Sequence, residues 1–283
     1  SGGDFSIPLL CEVYDFELPE RSSLKTIFSF DMDAYRKWYK LSSSPSLDTQ
    51  LRIHNFLLDY RISGAELYGT ELSPAMELLP DLRKRITAVI LPGGASRKTY
   101  QEVLDKVNAL GLDDRLYFYA YDELSDFPES FAKAGKSMAE LKREFPSLKR
   151  MQTSFPIPEL SGMFDVWCPL FNHFGRADGR KKLEDMKNAG TEIWWYPADG
   201  PHKPYANFFT DFPVFDCRII GTLSYLHNVD GLLYWRINRE WLSNLDRASD
   251  WKEDTWRTYI FHISTGARKY RNGMGNLVYP GKN

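Results

Sequence analysis

"LYFYAYDELSDFPESF", residues 116–131, runs an aromatic, strand-forming segment straight into two adjacent carboxylates, Asp122 and Glu123. The Leu-Tyr-Phe-Tyr-Ala-Tyr run reads as a β-strand buried on both faces, as strands are in a parallel sheet covered by helices. Carboxylates at the end of such a strand lose hydration, so their presence there needs a reason. The simpler reason is capping, since Asp122, Ser125 or Asp126 could cap a helix over "FPESFAKAGKSMAELKREF". The alternative is chemistry, and the rest of the chain bears on the choice.

Outward from this stretch, short apolar runs rich in β-branched and aromatic residues recur. They are "IPLLCEVYDF" (7–16), "SGAELYG" (63–69), "ITAVILPGG" (86–94), "RLYFYAYDE" (115–123), "LKRMQTSF" (148–155), "MFDVWCPLF" (163–171), "TEIWWYPADG" (191–200) and "DGLLYWRIN" (230–238). Helical patterns such as "SRKTYQEVLDKVNALGL" and "GRKKLEDMKNAG" separate most of them. Over 130–145, Phe131, Ala134, Met138, Leu141 and Phe145 fall on one stripe, as in a helix lying on a sheet. This alternation predicts a (β/α)8 TIM-type barrel rather than an open doubly wound sheet, because no G-x-G-x-x-G follows the first strand. "LPGGAS" (91–96) lacks the Lys-Ser/Thr of a phosphate-binding loop and reads as a turn.

Composition narrows the partners. With a net charge of −2, the chain has no electrostatic footprint for nucleic acid or an anionic membrane. Cys11, Cys168 and Cys217 lie far apart with no C-x-x-C pair, and no H-x-x-x-H spacing occurs, so neither a metal, a disulfide framework nor a cofactor is expected. No apolar run reaches the roughly 18–20 residues that cross a bilayer. Eight Trp and sixteen Tyr exceed the needs of a core, and stacking on sugar rings would use such a surplus.

In a barrel of this kind functional side chains gather at the C-terminal ends of the strands. The residues found there are Asp15, Tyr68, Asp122, Glu123, Asn172, His173, Trp195, Tyr196, Asp199, Trp235 and Asn238. Aromatic rings among hydrogen-bonding groups suit a neutral, polyhydroxylated ligand. Of the adjacent tryptophans, one should face the helices and one the pocket, and Trp195 is the expected pocket residue.

Ordinary glycosidases need two carboxyl groups about 5–5.5 Å apart for retention or about 6.5–9.5 Å for inversion, flanking the scissile bond. Sequence neighbours approach a substrate from one side and serve that scheme badly. They suit substrate-assisted hydrolysis, in which the sugar's own 2-acetamido oxygen attacks the anomeric carbon. One carboxylic acid then protonates the leaving oxygen, and the other carboxylate orients the acetamido N–H. Strict alternation would point Asp122 and Glu123 to opposite faces, so the strand must twist or end between them. Glu123, with the longer reach, is the candidate acid.

"LYFYAYDE", "WWYPADGPHKPYANFFTDFPVFDCRIIG", "VDGLLYWRIN" and "GNLVYPG" together resemble the catalytic domain of glycoside hydrolase family 123, long filed as domain of unknown function 4091. The resemblance runs from about residue 7 to the end. It implies an exo-acting β-N-acetylgalactosaminidase using substrate assistance without a metal, with Asp122 in the place of the acetamido-orienting residue and Glu123 in that of the acid/base. It also raises Trp235 as a sugar platform. Two departures stand out: Met274 in "GMG" where the family usually has Gly-Asp-Gly, and an end at "YPGKN" where family members continue into a last barrel helix, which is expected either to be absent from this chain or to be supplied by other residues.

The resulting expectation is a disordered or vector-derived stretch at 1–6 and a single barrel domain over 7–283 with an insert at 239–272. Its substrate is a glycan or glycolipid ending in a β-linked amino sugar, and its compartment is extracellular or periplasmic if the N-terminus is a processed end. Two rivals remain open: a non-catalytic barrel that only binds amino sugars, and an ordinary retaining glycosidase with Asp199 or Glu240 as nucleophile.

Overall fold

A computed structural model describes residues 6–239, 241 and 273–281. Eight parallel strands form a nearly closed barrel with helices between them: β1 (Lys25–Ser29), β2 (Gly64–Ala65), β3 (Val89–Pro92), β4 (Leu116–Tyr119), β5 (Lys149–Gln152), β6 (Val166–Trp167), β7 (Glu192–Trp195) and β8 (Gly231–Tyr234). Their order around the sheet is β2-β1-β8-β7-β6-β5-β4-β3. This is the (β/α)8 TIM-type architecture expected from the alternation of runs. The seam between β2 and β3 is stitched at its base by side chains. The hydroxyls of Ser63 and Thr87 lie 2.8 Å apart, and Thr87 Oγ1 accepts from the Thr26 amide of β1 at 2.9 Å.

Seven strands lie inside the runs read from the sequence, and the first does not. The stretch 7–16 forms no strand, and its Leu9, Leu10 and Val13 are exposed. β1 is instead "KTIFS", whose Ile27, Phe28 and Ser29 are buried and which pairs with both β2 and β8. A longer apolar run was outweighed by a shorter one with neighbours on both sides, because pairing satisfies the backbone as well as burying side chains.

Strand alternation divides the core in two. Ile27, Ala65, Ile90, Tyr117, Tyr119, Met151, Cys168, Trp194, Tyr196 and Leu233 form one cluster filling the barrel. Their strand neighbours, including Phe28, Leu91, Phe118 and Trp195, join the larger cluster between sheet and helices. The helix α5 (Phe131–Glu144), numbered fifth after Met32–Trp38, Leu47–Asp59, Leu79–Leu82 and Arg97–Ala109, buries Ala134, Met138 and Leu141 there. Two more follow, α6 (Ala177–Asn188) and α7 (Val214–Leu226). No helix among the described residues is long and apolar enough to cross a membrane. Apart from residues 239 and 241, the expected insert lies outside the described residues.

Candidate active site

β4 ends at Tyr119, three residues before Asp122, so the carboxylate pair sits on the loop beyond the strand. Glu123 adopts a left-handed backbone, φ 43° and ψ 49°, which for a residue with a Cβ costs about 1–2 kcal/mol. That turn supplies the break in alternation needed for both carboxylates to reach one cavity. Neither acid caps the following helix, since α5 has no side-chain cap.

The cavity has a volume of about 210 Å³ and is lined by Tyr68, Tyr119, Asp122, Glu123, Thr153, Tyr196, Ala198, Asp199, Leu233, Trp235 and Met274. Asp122 is held on one oxygen: Tyr119 donates its hydroxyl to Oδ1 at 2.5 Å and Thr153 donates to the same atom at 2.9 Å. Glu123 receives the Tyr196 hydroxyl on Oε1 at 2.5 Å, and its own amide donates to Thr153 Oγ1 at 3.2 Å. Neither Lys nor Arg is among the lining residues.

The two acids are therefore supported unequally. Burial pushes the Glu123 carboxyl up, the Tyr196 hydrogen bond pulls it back, and the negative charges of Asp122, Asp126 and Asp199 push it up again, leaving it raised. Glu123 thus has its carboxyl pushed up beside a carboxylate held by two hydroxyl donors. Burial, followed by the neighbouring carboxylates, also raises the phenols of Tyr68 and Tyr196, which remain hydrogen-bond donors.

Other cavities are larger. One of about 700 Å³ lies at the opposite end of the barrel, but its carboxylates, Glu192 and Asp230, are both paired with lysines. Among the described residues no group of His, Cys, Asp and Glu could hold a metal ion.

Of the residues expected at the site, Asp122, Glu123, Tyr68, Tyr196 and Trp235 line the cavity together, and five others do not. Trp195 points into the helix layer, against Phe171 and Phe174, with its indole N–H donating to Ser224 of α7 at 3.0 Å. Tyr196 faces inward, so alternation sends Trp195 out and Trp194 in. Asn238 is fully buried and tied at both ends to Asp31: its amide donates to the carbonyl and its oxygen accepts the amide N–H, each at 2.9 Å. It fastens the end of β8 to the end of β1. His173 stacks on Phe155 with ring centres 4.5 Å apart, and burial, then Arg176, lowers its pKa. Asn172 belongs to the same short helical turn after β6 and is not a lining residue. Asp15 lies exposed on the segment before β1.

The sequence reading missed Tyr119 and Thr153. Tyr119 was legible in principle, because counting inward positions along β4 puts it in the barrel. Thr153 had no signal of its own. Asp199, expected at the end of the seventh strand and as a rival nucleophile, lines the cavity, and so does Met274, which packs with Phe209, Phe212 and Trp235. Glu240 lies outside the described residues.

A comparison with protein families matches residues 27–283 to the glycoside hydrolase 123 catalytic domain. No curated protein matches the chain.

Proposed function

The chain belongs to the glycoside hydrolase 123 family, and from that premise we propose that it is a retaining exo-hydrolase of terminal β-linked N-acetylhexosamine, N-acetylgalactosamine in the first instance. Two sequence neighbours, Asp122 and Glu123, line one cavity with different hydrogen-bond partners, and this observation carries the reading. The cavity, at about 210 Å³, falls below the usual range for drug-sized ligands and suits a single sugar ring.

In the first step the acetamido carbonyl oxygen bonds to the anomeric carbon while the glycosidic C–O bond breaks. Glu123 gives its proton to the leaving oxygen. Asp122, fixed in rotation by Tyr119 and Thr153, accepts the acetamido N–H and balances the positive oxazolinium ion. In the second step water attacks the same carbon, Glu123 takes its proton, and the acetamido group is restored with the anomeric configuration retained. Tyr196, bonded to Glu123, stabilises the carboxylate that exists between the two steps. The apolar faces of Leu233, Ala198 and Trp235 offer contact to the N-acyl methyl and the sugar ring.

Asp199 favours a second reading, because it lines the same cavity and its charge acts on Glu123. As a protein nucleophile it would serve sugars with no acetamido group. Release of nitrophenol from 4-nitrophenyl β-N-acetylgalactosaminide and from the plain β-galactoside separates the two. Hydrolysis of the acetamido sugar alone, lost in Glu123→Gln, is expected; equal hydrolysis of both sugars would replace Asp122 with Asp199 in the mechanism. Binding of the amino sugar without turnover would leave only a carbohydrate-binding barrel.

A further inference from the structure

The left-handed turn at Glu123 needs something to hold it, and the end of β5 is built to do so. Consecutive strand residues point to opposite faces, and here both faces are used. Thr153 follows the inward Met151 and reaches the loop from within the barrel, bonding the Asp122 carboxylate and the Glu123 amide. Gln152, fully buried, meets the same loop from the other face. In the amide orientation that satisfies both neighbours it donates to the Tyr121 carbonyl at 3.2 Å and accepts from the Leu124 amide at 2.8 Å. The four residues 121–124 are thus gripped at each member, with the strained residue in the middle.

We propose that Gln152 and Thr153 are positioning residues that fix the loop 121–124 so that Glu123 stays in its left-handed turn and both carboxylates face the cavity. Their effect on rate rests on the hydrolytic reading of that site; their effect on loop geometry does not. The two hydrogen-bond partners of the Gln152 side chain are backbone groups of Tyr121 and Leu124, neither a residue of the cavity wall, so its action passes through the backbone on either side of the pair. Thr153 acts through Asp122 and through the Glu123 amide. Displacements of about 1 Å at a reacting group cost up to about 100-fold in rate, which sets the scale expected.

The test uses Gln152→Leu, Thr153→Val and Thr153→Ser, each assayed per folded molecule and each crystallised. In Gln152→Leu and Thr153→Val, Glu123 should leave φ near 43° and lose its bond to Tyr196. With 4-nitrophenyl β-N-acetylgalactosaminide, kcat should fall by about 10- to 100-fold while KM moves by less than about 3-fold, and Thr153→Ser should restore the rate to within about 3-fold. If the loop keeps its geometry in both the Leu and Val variants, the inference is overturned whatever the wild type hydrolyses. If Gln152→Leu does not fold, the Val and Ser pair decides, since a hydroxyl-specific rescue of Glu123 geometry is not expected of a residue that merely fills space. A wild type that turns over neither sugar counts against the hydrolytic reading alone, and the crystallographic arm still decides the positioning role.

Discussion

Two glutamates sit inside the same barrel, one at each end, and their surroundings give them opposite character. Glu192, at the N-terminal end, accepts from Lys25 at 3.0 Å, Lys149 at 2.8 Å, Tyr117 at 2.7 Å and the Trp194 indole at 2.8 Å. Burial alone would raise its pKa, yet the two lysines and two neutral donors bring it down to about 2. Glu123, at the C-terminal end, has one donor and a set of negative neighbours, and its pKa is raised. Identical side chains become a carboxylate held down by cations at one end of the barrel and one pushed up by negative neighbours at the mouth of the cavity. The number and sign of the partners decide the difference, not the depth of burial.

The sharpest way to break this contrast is to remove each carboxylate in turn. Glu123→Gln should lower kcat on the N-acetylgalactosaminide by about 10²–10⁴-fold, the usual span of a general acid/base, with KM little changed. Its folding stability at neutral pH should be unchanged or higher. A carboxyl whose folded pKa is raised loses stability as pH rises through that pKa, and Gln has no such loss. Equal rates for variant and wild type would remove Glu123 from the mechanism.

Glu192→Gln should do the reverse, leaving kcat intact and costing about 2–3 kcal/mol in urea unfolding at neutral pH. A fall in pKa from 4.5 to about 2 corresponds to about 3 kcal/mol, and burial of Lys25, whose pKa is lowered, offsets part of it. The sign follows from a depressed carboxyl. Its stabilisation is complete above pH 4.5 and is lost as pH falls toward about 2, so variant and wild type should converge in strong acid. A constant gap down to low pH would show that packing, not charge, is what Glu192 contributes.

The same contrast explains what the sequence made legible. Asp122 and Glu123 stood out because an apolar strand ran into them, and Tyr68, Tyr196 and Trp235 because each ends a strand run. Rules of alternation and strand direction reach that far. Trp194 and Trp195 could not be told apart, because adjacent bulky residues fit either face. Their register is set by Tyr196 above and by Gly231 on β8, where even a Cβ would come within 2.2 Å of the Trp194 ring. The first strand was misplaced because apolar count favoured 7–16, whereas pairing partners on both sides favoured 25–29. Thr153 and Gln152 acquire their roles only from a left-handed turn on a neighbouring loop, which no local pattern announces.

Removing a single donor at each end sharpens the comparison with smaller effects. At the open end, Tyr196→Phe takes away a hydrogen bond that lowers Glu123, so the alkaline limb of the pH–rate profile should move to higher pH. The intermediate carboxylate also loses its partner, and kcat should fall by about 10- to 100-fold, the worth of roughly one hydrogen bond to a charged group. A profile that moves to lower pH would mean that Glu123 is not the group responsible for that limb.

At the closed end, Trp194→Phe removes one of the four donors to Glu192 while keeping an aromatic ring against Tyr117, whose ring centre lies 5.1 Å away. About 1–2 kcal/mol of stability should be lost, part from the hydrogen bond and part from the smaller side chain. Because Glu192 becomes easier to protonate, acid unfolding should begin at slightly higher pH. The rate on the amino sugar should not change, since Trp194 does not line the cavity and the lining residue Tyr196 lies two positions on, just past the end of β7. If Trp194→Phe instead altered KM, the two ends of the barrel would be coupled through the stacked interior rings. Glu192 would then tune the site as well as close the barrel.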